Sequence, residues 1–130
     1  MINKVMIETV DTERIEKDDA FPKAFAFYIV LNGTPHPIWV ELFISRYEST
    51  FFNLKREMTI QGREIRVVTA PGEEAQHVEF FRRLVDETNR AVEDYNKQLA
   101  KDEARHRKFA DQEAAEAEQI RQRLRKIQVG

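Results

Sequence analysis

An α+β fold, a curled antiparallel β-meander of about five strands packed on a long C-terminal α-helix, is predicted by three features of the sequence. All four prolines (Pro22, Pro35, Pro37, Pro71) and three of the four glycines (Gly33, Gly62, Gly72) lie within residues 22–72. From Glu73 to Val129 there is neither residue. Nine of the thirteen aromatic side chains also precede residue 73. Turn and strand chemistry therefore governs the first half and helix chemistry the second.

The elements follow in order. Residues 2–10 read as an irregular first strand, and the charged stretch from Asp11 to Asp19 as a surface connection. Phe25, Phe27, Ile29 and Leu31 alternate along one run, and Ile38, Val40, Leu42 and Ile44 along the next. A hairpin closed by residues 32–37 sets Leu31 against Ile38, Ile29 against Val40 and Phe27 against Leu42, making one apolar face in register. The opposite face of that hairpin, with Ala26, Tyr28, Val30, Trp39 and Phe43, is apolar as well. A one-sided antiparallel sheet alternates with polar residues there, so something is expected to cover this face. A second hairpin turns at Gln61-Gly62, pairing Met58 with Ile65 and Glu57 with Arg66.

Pro71 and Gly72 followed by Glu73 and Glu74 mark a helix start, with acidic side chains where the macrodipole favours them. Val78, Phe81, Val85, Thr88, Val92, Tyr95 and Leu99 recur at three- and four-residue steps, a stripe that docks on a sheet. A continuous helix from Glu73 to Val129 is about 85 Å long, far beyond strands of about 20 Å. The sequence thus divides into an α+β domain over residues 1–99 and a charged, Ala-rich helical extension over residues 100–130. That extension must project, fold back, or pair with another chain as a coiled coil.

Composition excludes several function classes. The charge is nearly balanced, 21 Lys and Arg against 23 Asp and Glu, which excludes a polycation or a polyanionic tail. With no Cys there is no disulfide framework, thiol nucleophile or cysteine-held metal. Asn3, Lys4 and Glu8 interrupt the N-terminus, and no apolar run reaches bilayer length, so a soluble cytoplasmic protein without membrane contact is expected. No phosphate loop, nucleophile elbow or His-Glu-x-x-His zinc helix is present.

Three candidate chemistries remain. Glu74/His77 and Glu103/His106 are Glu-x-x-His pairs, the ligand spacing of di-iron carboxylate bundles. That site also needs four helices and further carboxylates, so neither a metal nor any other cofactor is expected. Arg63 and Arg66 on the second hairpin and Arg121, Arg123, Arg125 and Lys126 at the C-terminus offer phosphate contacts for a nucleic-acid-binding module. The leading expectation is a non-enzymatic, self-associating interaction or scaffold protein, with another protein as a possible further partner. Its contacts are Tyr28, Val30, Trp39 and Phe43 on the sheet and Phe109, Ile120, Leu124 and Ile127 on the extension.

One local resemblance bears on that expectation. Met58-Thr-Ile-Gln-Gly62-Arg-Glu-Ile65-Arg-Val67, an acidic helix start and a long helix together resemble the opening of ZapA-type cell-division proteins. Those are small self-associating factors with a C-terminal coiled coil. The resemblance covers residues 57 to about 99; the 56 residues before it have no counterpart in that family, and the charged tail departs from its second-helix pattern. What it implies is oligomerisation.

Overall fold

In the computed structural model, which describes residues 1–128, the chain runs β1 (Ile7–Lys17), β2 (Phe25–Leu31), α1 (Pro37–Ser49), β3 (Met58–Gln61), β4 (Glu64–Thr69) and α2 (Glu74–Gln128). Val129, the expected end of the long helix, and Gly130 lie outside the described residues. The α+β class stands: one antiparallel sheet of order β1-β2-β4-β3, and a long C-terminal helix. The chain separates into two compact units, Met1–Asp94 and the remainder from Tyr95 onward.

The sheet has four strands rather than five, because the expected strand over 38–44 is the helix α1. Its apolar residues are so dense that periods of 2 and 3.6 fit equally well. The start signal decides. Pro37 occupies the first turn, where its missing N–H costs nothing, and the His36 imidazole accepts a hydrogen bond from Ile38 N–H at 3.0 Å. The helical period then aligns Trp39, Phe43 and Tyr47. Trp39 stacks on Phe43 at 5.2 Å between centroids, and Tyr47 stacks on Phe81 of α2 at 5.9 Å.

The expected hairpin between residues 31 and 38 therefore does not exist, and β2 pairs with β4 instead, Phe27 opposite Val67 and Ile29 opposite Ile65. The first strand is also displaced: β1 covers 7–17, most of the stretch expected as a connection. Its register against β2 jumps between Asp11, opposite Tyr28, and Glu16, opposite Ala26. Between these two pairs β1 has four residues where β2 has one, and the three extra ones form a bulge.

At the β3–β4 hairpin the loop is Gly62-Arg63, with Gln61 opposite Glu64 and Met58 opposite Val67. Gly62 has φ 58° and Arg63 keeps an ordinary negative φ, the pattern of a type II′ turn. The register is two residues from the expected one. An even shift leaves every side chain on its expected face but replaces the Glu57–Arg66 pair. Arg66 instead pairs with Asp18 at 2.9 Å.

One face of the sheet carries the core. Phe27, Ile29, Leu31, Ile65 and Val67 pack with Trp39 and Phe43 of α1 and with Phe80, Phe81, Leu84, Val85 and Val92 of α2. Ile2 and Val5, ahead of β1, join them. Asn89 of α2 binds this amino-terminal segment: its amide donates to Val5 O at 2.8 Å, and its oxygen accepts from Val5 N at 3.3 Å and Trp39 Nε1 at 2.9 Å. The other face is covered in part by the chain itself. Ala24, Ala26 and Val68 form a small cluster with Phe21. Arg56 lies 4.7 Å over the Phe21 ring and Arg14 lies 3.6 Å over Tyr28.

Candidate functional site

The sequence-predicted contact residues divide into three groups. Trp39 and Phe43 have no solvent exposure and belong to the core, because α1 is a helix and not the outer half of a hairpin. Tyr28 and Val30 are half-buried on the outer sheet face, opposite Arg66 and Glu64. Tyr28 also donates its hydroxyl to Glu16, and that bond, with burial, pushes the phenol pKa up. The third group is the informative one. Phe109, Ile120, Leu124 and Ile127 are 62%, 53%, 58% and 73% exposed on the second unit's helix.

Local sequence explains why residues 95–128 are helical without a core. The stretch has neither Gly nor Pro, is rich in Ala, Glu, Gln, Lys and Arg, and carries near-neighbour side-chain pairs. Gln98 donates to Asp102 at 3.1 Å, Arg105 pairs with Asp102 at 2.8 Å, and Arg121 pairs with Glu118. These 34 residues extend about 50 Å as helix. Within that length Ile120, Leu124 and Ile127 stand at steps of four and three, on one face.

Three of the six basic residues read as phosphate contacts have acidic partners. Arg63 pairs with Glu8 at 3.5 Å, Arg66 with Asp18 at 2.9 Å and Arg121 with Glu118. Arg123, Arg125 and Lys126 are exposed in the last turns of α2, where positive charge also complements the helix dipole.

The two Glu-x-x-His pairs fall in different units. Glu74 is exposed and accepts from Gly72 N–H at 3.1 Å, and backbone N–H groups hold its carboxyl below the usual range. His77 is 2% exposed, packed edge-on against Phe52 at 5.4 Å. Its Nε2 lies 3.6 Å from Glu73 Oε2, and neither atom has a hydrogen-bond partner. Burial pushes the His77 pKa down, with Glu73 opposing. Glu103 and His106 are exposed on the second unit's helix. Among the described residues, no group of three His, Asp or Glu side chains gathers so as to hold a metal ion.

One feature of the first unit had no sequence signal. The β1 bulge opens a cleft of about 500 Å³, walled by Val10, Ile15, Phe25, Phe27, Pro71 and Val78. Asp11 and Glu74 add carboxylates to the lining. Asp11 accepts from the N–H groups of Glu13 and Arg14, which hold its pKa low. The cleft has the size of a small-ligand pocket, and its lining is mostly apolar with two carboxylates among it. Its lining comes from separated stretches of sequence and depends on the bulge, so no local pattern announces it.

No helix among the described residues is long and apolar enough to cross a membrane. No family model, curated protein or solved structure matches the chain.

Proposed function

We propose that this protein is a non-enzymatic, self-associating interaction or scaffold protein whose copies join through the helix of residues 95–128. The observation that supports this reading is the exposure of Phe109, Ile120, Leu124 and Ile127 on a helix that makes up all the described residues of its unit. Helices in proteins draw most of their stability from packing an apolar face, and isolated ones are marginal in water. Among the described residues of the second unit nothing buries this face, so a second copy is the partner proposed for it. The sheet contribution narrows to Tyr28 and Val30, since Trp39 and Phe43 are spent in the core.

The nucleic-acid reading has weaker support, because Arg63, Arg66 and Arg121 already lie in ion pairs. Sedimentation velocity across a concentration series tests the proposal. The full-length chain is expected to dimerise or assemble further, and the full-length double substitution Ile120→Asp with Leu124→Asp to sediment as a monomer. Wild-type protein that stays monomeric at the highest soluble concentration would overturn the proposal.

A further inference from the structure

The charges flanking the exposed stripe discriminate between the orientations open to a pair of copies. Ala110, Glu113, Ala117, Ile120, Leu124 and Ile127 follow one another at steps of three and four, the spacing of a helix–helix seam, and all six are exposed. Around them the charges are sorted into blocks. Residues 111–118 hold four acidic side chains (Asp111, Glu113, Glu116, Glu118) and no basic one. Residues 119–126 hold four basic side chains (Arg121, Arg123, Arg125, Lys126) and no acidic one.

A parallel, in-register pair sets each block level with its own copy. It also places Glu113 against Glu113 within the seam, and like charges at such spacing are destabilising. Reversing one helix about the midpoint between residues 118 and 119 removes both conflicts. The acidic block then runs along the basic block of the other copy. In the seam Ile127 meets Ala110, Leu124 meets Glu113 and Ile120 meets Ala117, so each of these three large apolar residues faces a small or flexible one, while Phe109 lies just beyond the overlap. Each Glu113 carboxylate comes within a turn of Arg121 and Arg125 across the pair. Arg121 already pairs with Glu118 in its own helix, and Arg123 is placed on the flank to meet Glu116 of the other copy.

We propose that residues 110–127 of two copies pair antiparallel, in the register that sets Ala117 of each opposite Ile120 of the other. This rests on the self-association proposed above and specifies its geometry. The overlap is 18 residues, about 27 Å of helix, so the association is weak, concentration-dependent and partly electrostatic.

The absence of cysteine makes the geometry directly measurable. Full-length Ala110→Cys and Ile127→Cys variants, one carrying a mass tag, are mixed under mild oxidation and resolved without reductant. The mixed disulfide is expected to dominate. Neither variant is expected to cross-link to itself, since two copies of position 110 lie about 25 Å apart along the antiparallel pair, beyond disulfide reach. The dimer is also expected to weaken about tenfold as salt rises from low to high, because opposite charges face each other. A self-linked Ala110→Cys dimer, no mixed disulfide in a sample that sediments as a dimer, or affinity that rises with salt overturns the antiparallel register and leaves self-association standing. Monomeric sedimentation at every concentration overturns both.

Discussion

At Asn89 one amide holds together three parts of the first unit: the amino-terminal segment through both backbone groups of Val5, α1 through the Trp39 indole, and α2 itself. A buried group that loses its partner costs more than a solvent-exposed hydrogen bond ever contributes. Asn89→Ala is therefore expected to lower unfolding free energy by about 3 kcal/mol in urea denaturation. A loss below about 1 kcal/mol would show that water replaces the amide without penalty. His77 makes a different prediction. Burial depresses its folded-state pKa below the unfolded value near 6.5, so between those two values the unfolded chain binds more protons. Stability is then present above about pH 6.5 and falls as acid titrates the unfolded histidine, levelling once the folded value is passed. Glu73, Glu74 and Arg56 are the charged groups acting on it. His77→Gln is expected to flatten the urea midpoint between about pH 7.5 and about pH 5.5 relative to wild type, and an unchanged slope would remove His77 as its source.

Among the elements, α1 shows where local pattern stops being informative. Ile38, Val40, Leu42 and Ile44 satisfy a strand's alternation, and the same stretch supplies Trp39, Phe43 and Tyr47 at helical spacing. Nothing in the apolar pattern separates the two readings; the signal that does is the short His36-Pro37 start. His36→Ala is expected to cost about 1 kcal/mol by removing the cap acceptor, while His36→Ser retains most of it, as read in denaturant midpoints. The β3–β4 hairpin was legible, because Gly62 is the residue a positive φ requires, although its register was misread by two residues. The first part of α2 was legible because its breaker-free sequence and its stripe from Val78 to Leu99 agree, whereas beyond Leu99 only the absence of breakers pointed to the unbroken helix observed. The cleft at the β1 bulge was not, because a bulge is a mismatch between two strands and neither strand alone encodes it.

For the chain as a whole, the division at Asp94 makes a separable prediction. Removing residues 95–130 is expected to keep cooperative unfolding of the first unit within about 0.5 kcal/mol of wild type, since none of its buried core lies beyond Val92. The same truncation is expected to abolish self-association, and the two readouts together separate folding from assembly. A truncated chain that no longer unfolds cooperatively would show that the two units are one folding unit. The bulge in β1 has a last consequence here. A chain that pairs with copies of itself, as proposed here, runs the hazard that exposed strand edges do the pairing, growing fibres in place of finite assemblies. Here one edge is interrupted midway by the bulge and lined with Glu13, Arg14, Glu16 and Lys17, and the other edge, β3, is four residues long. Neither offers an unbroken ladder to an incoming strand, which disfavours growth of the sheet edge to edge.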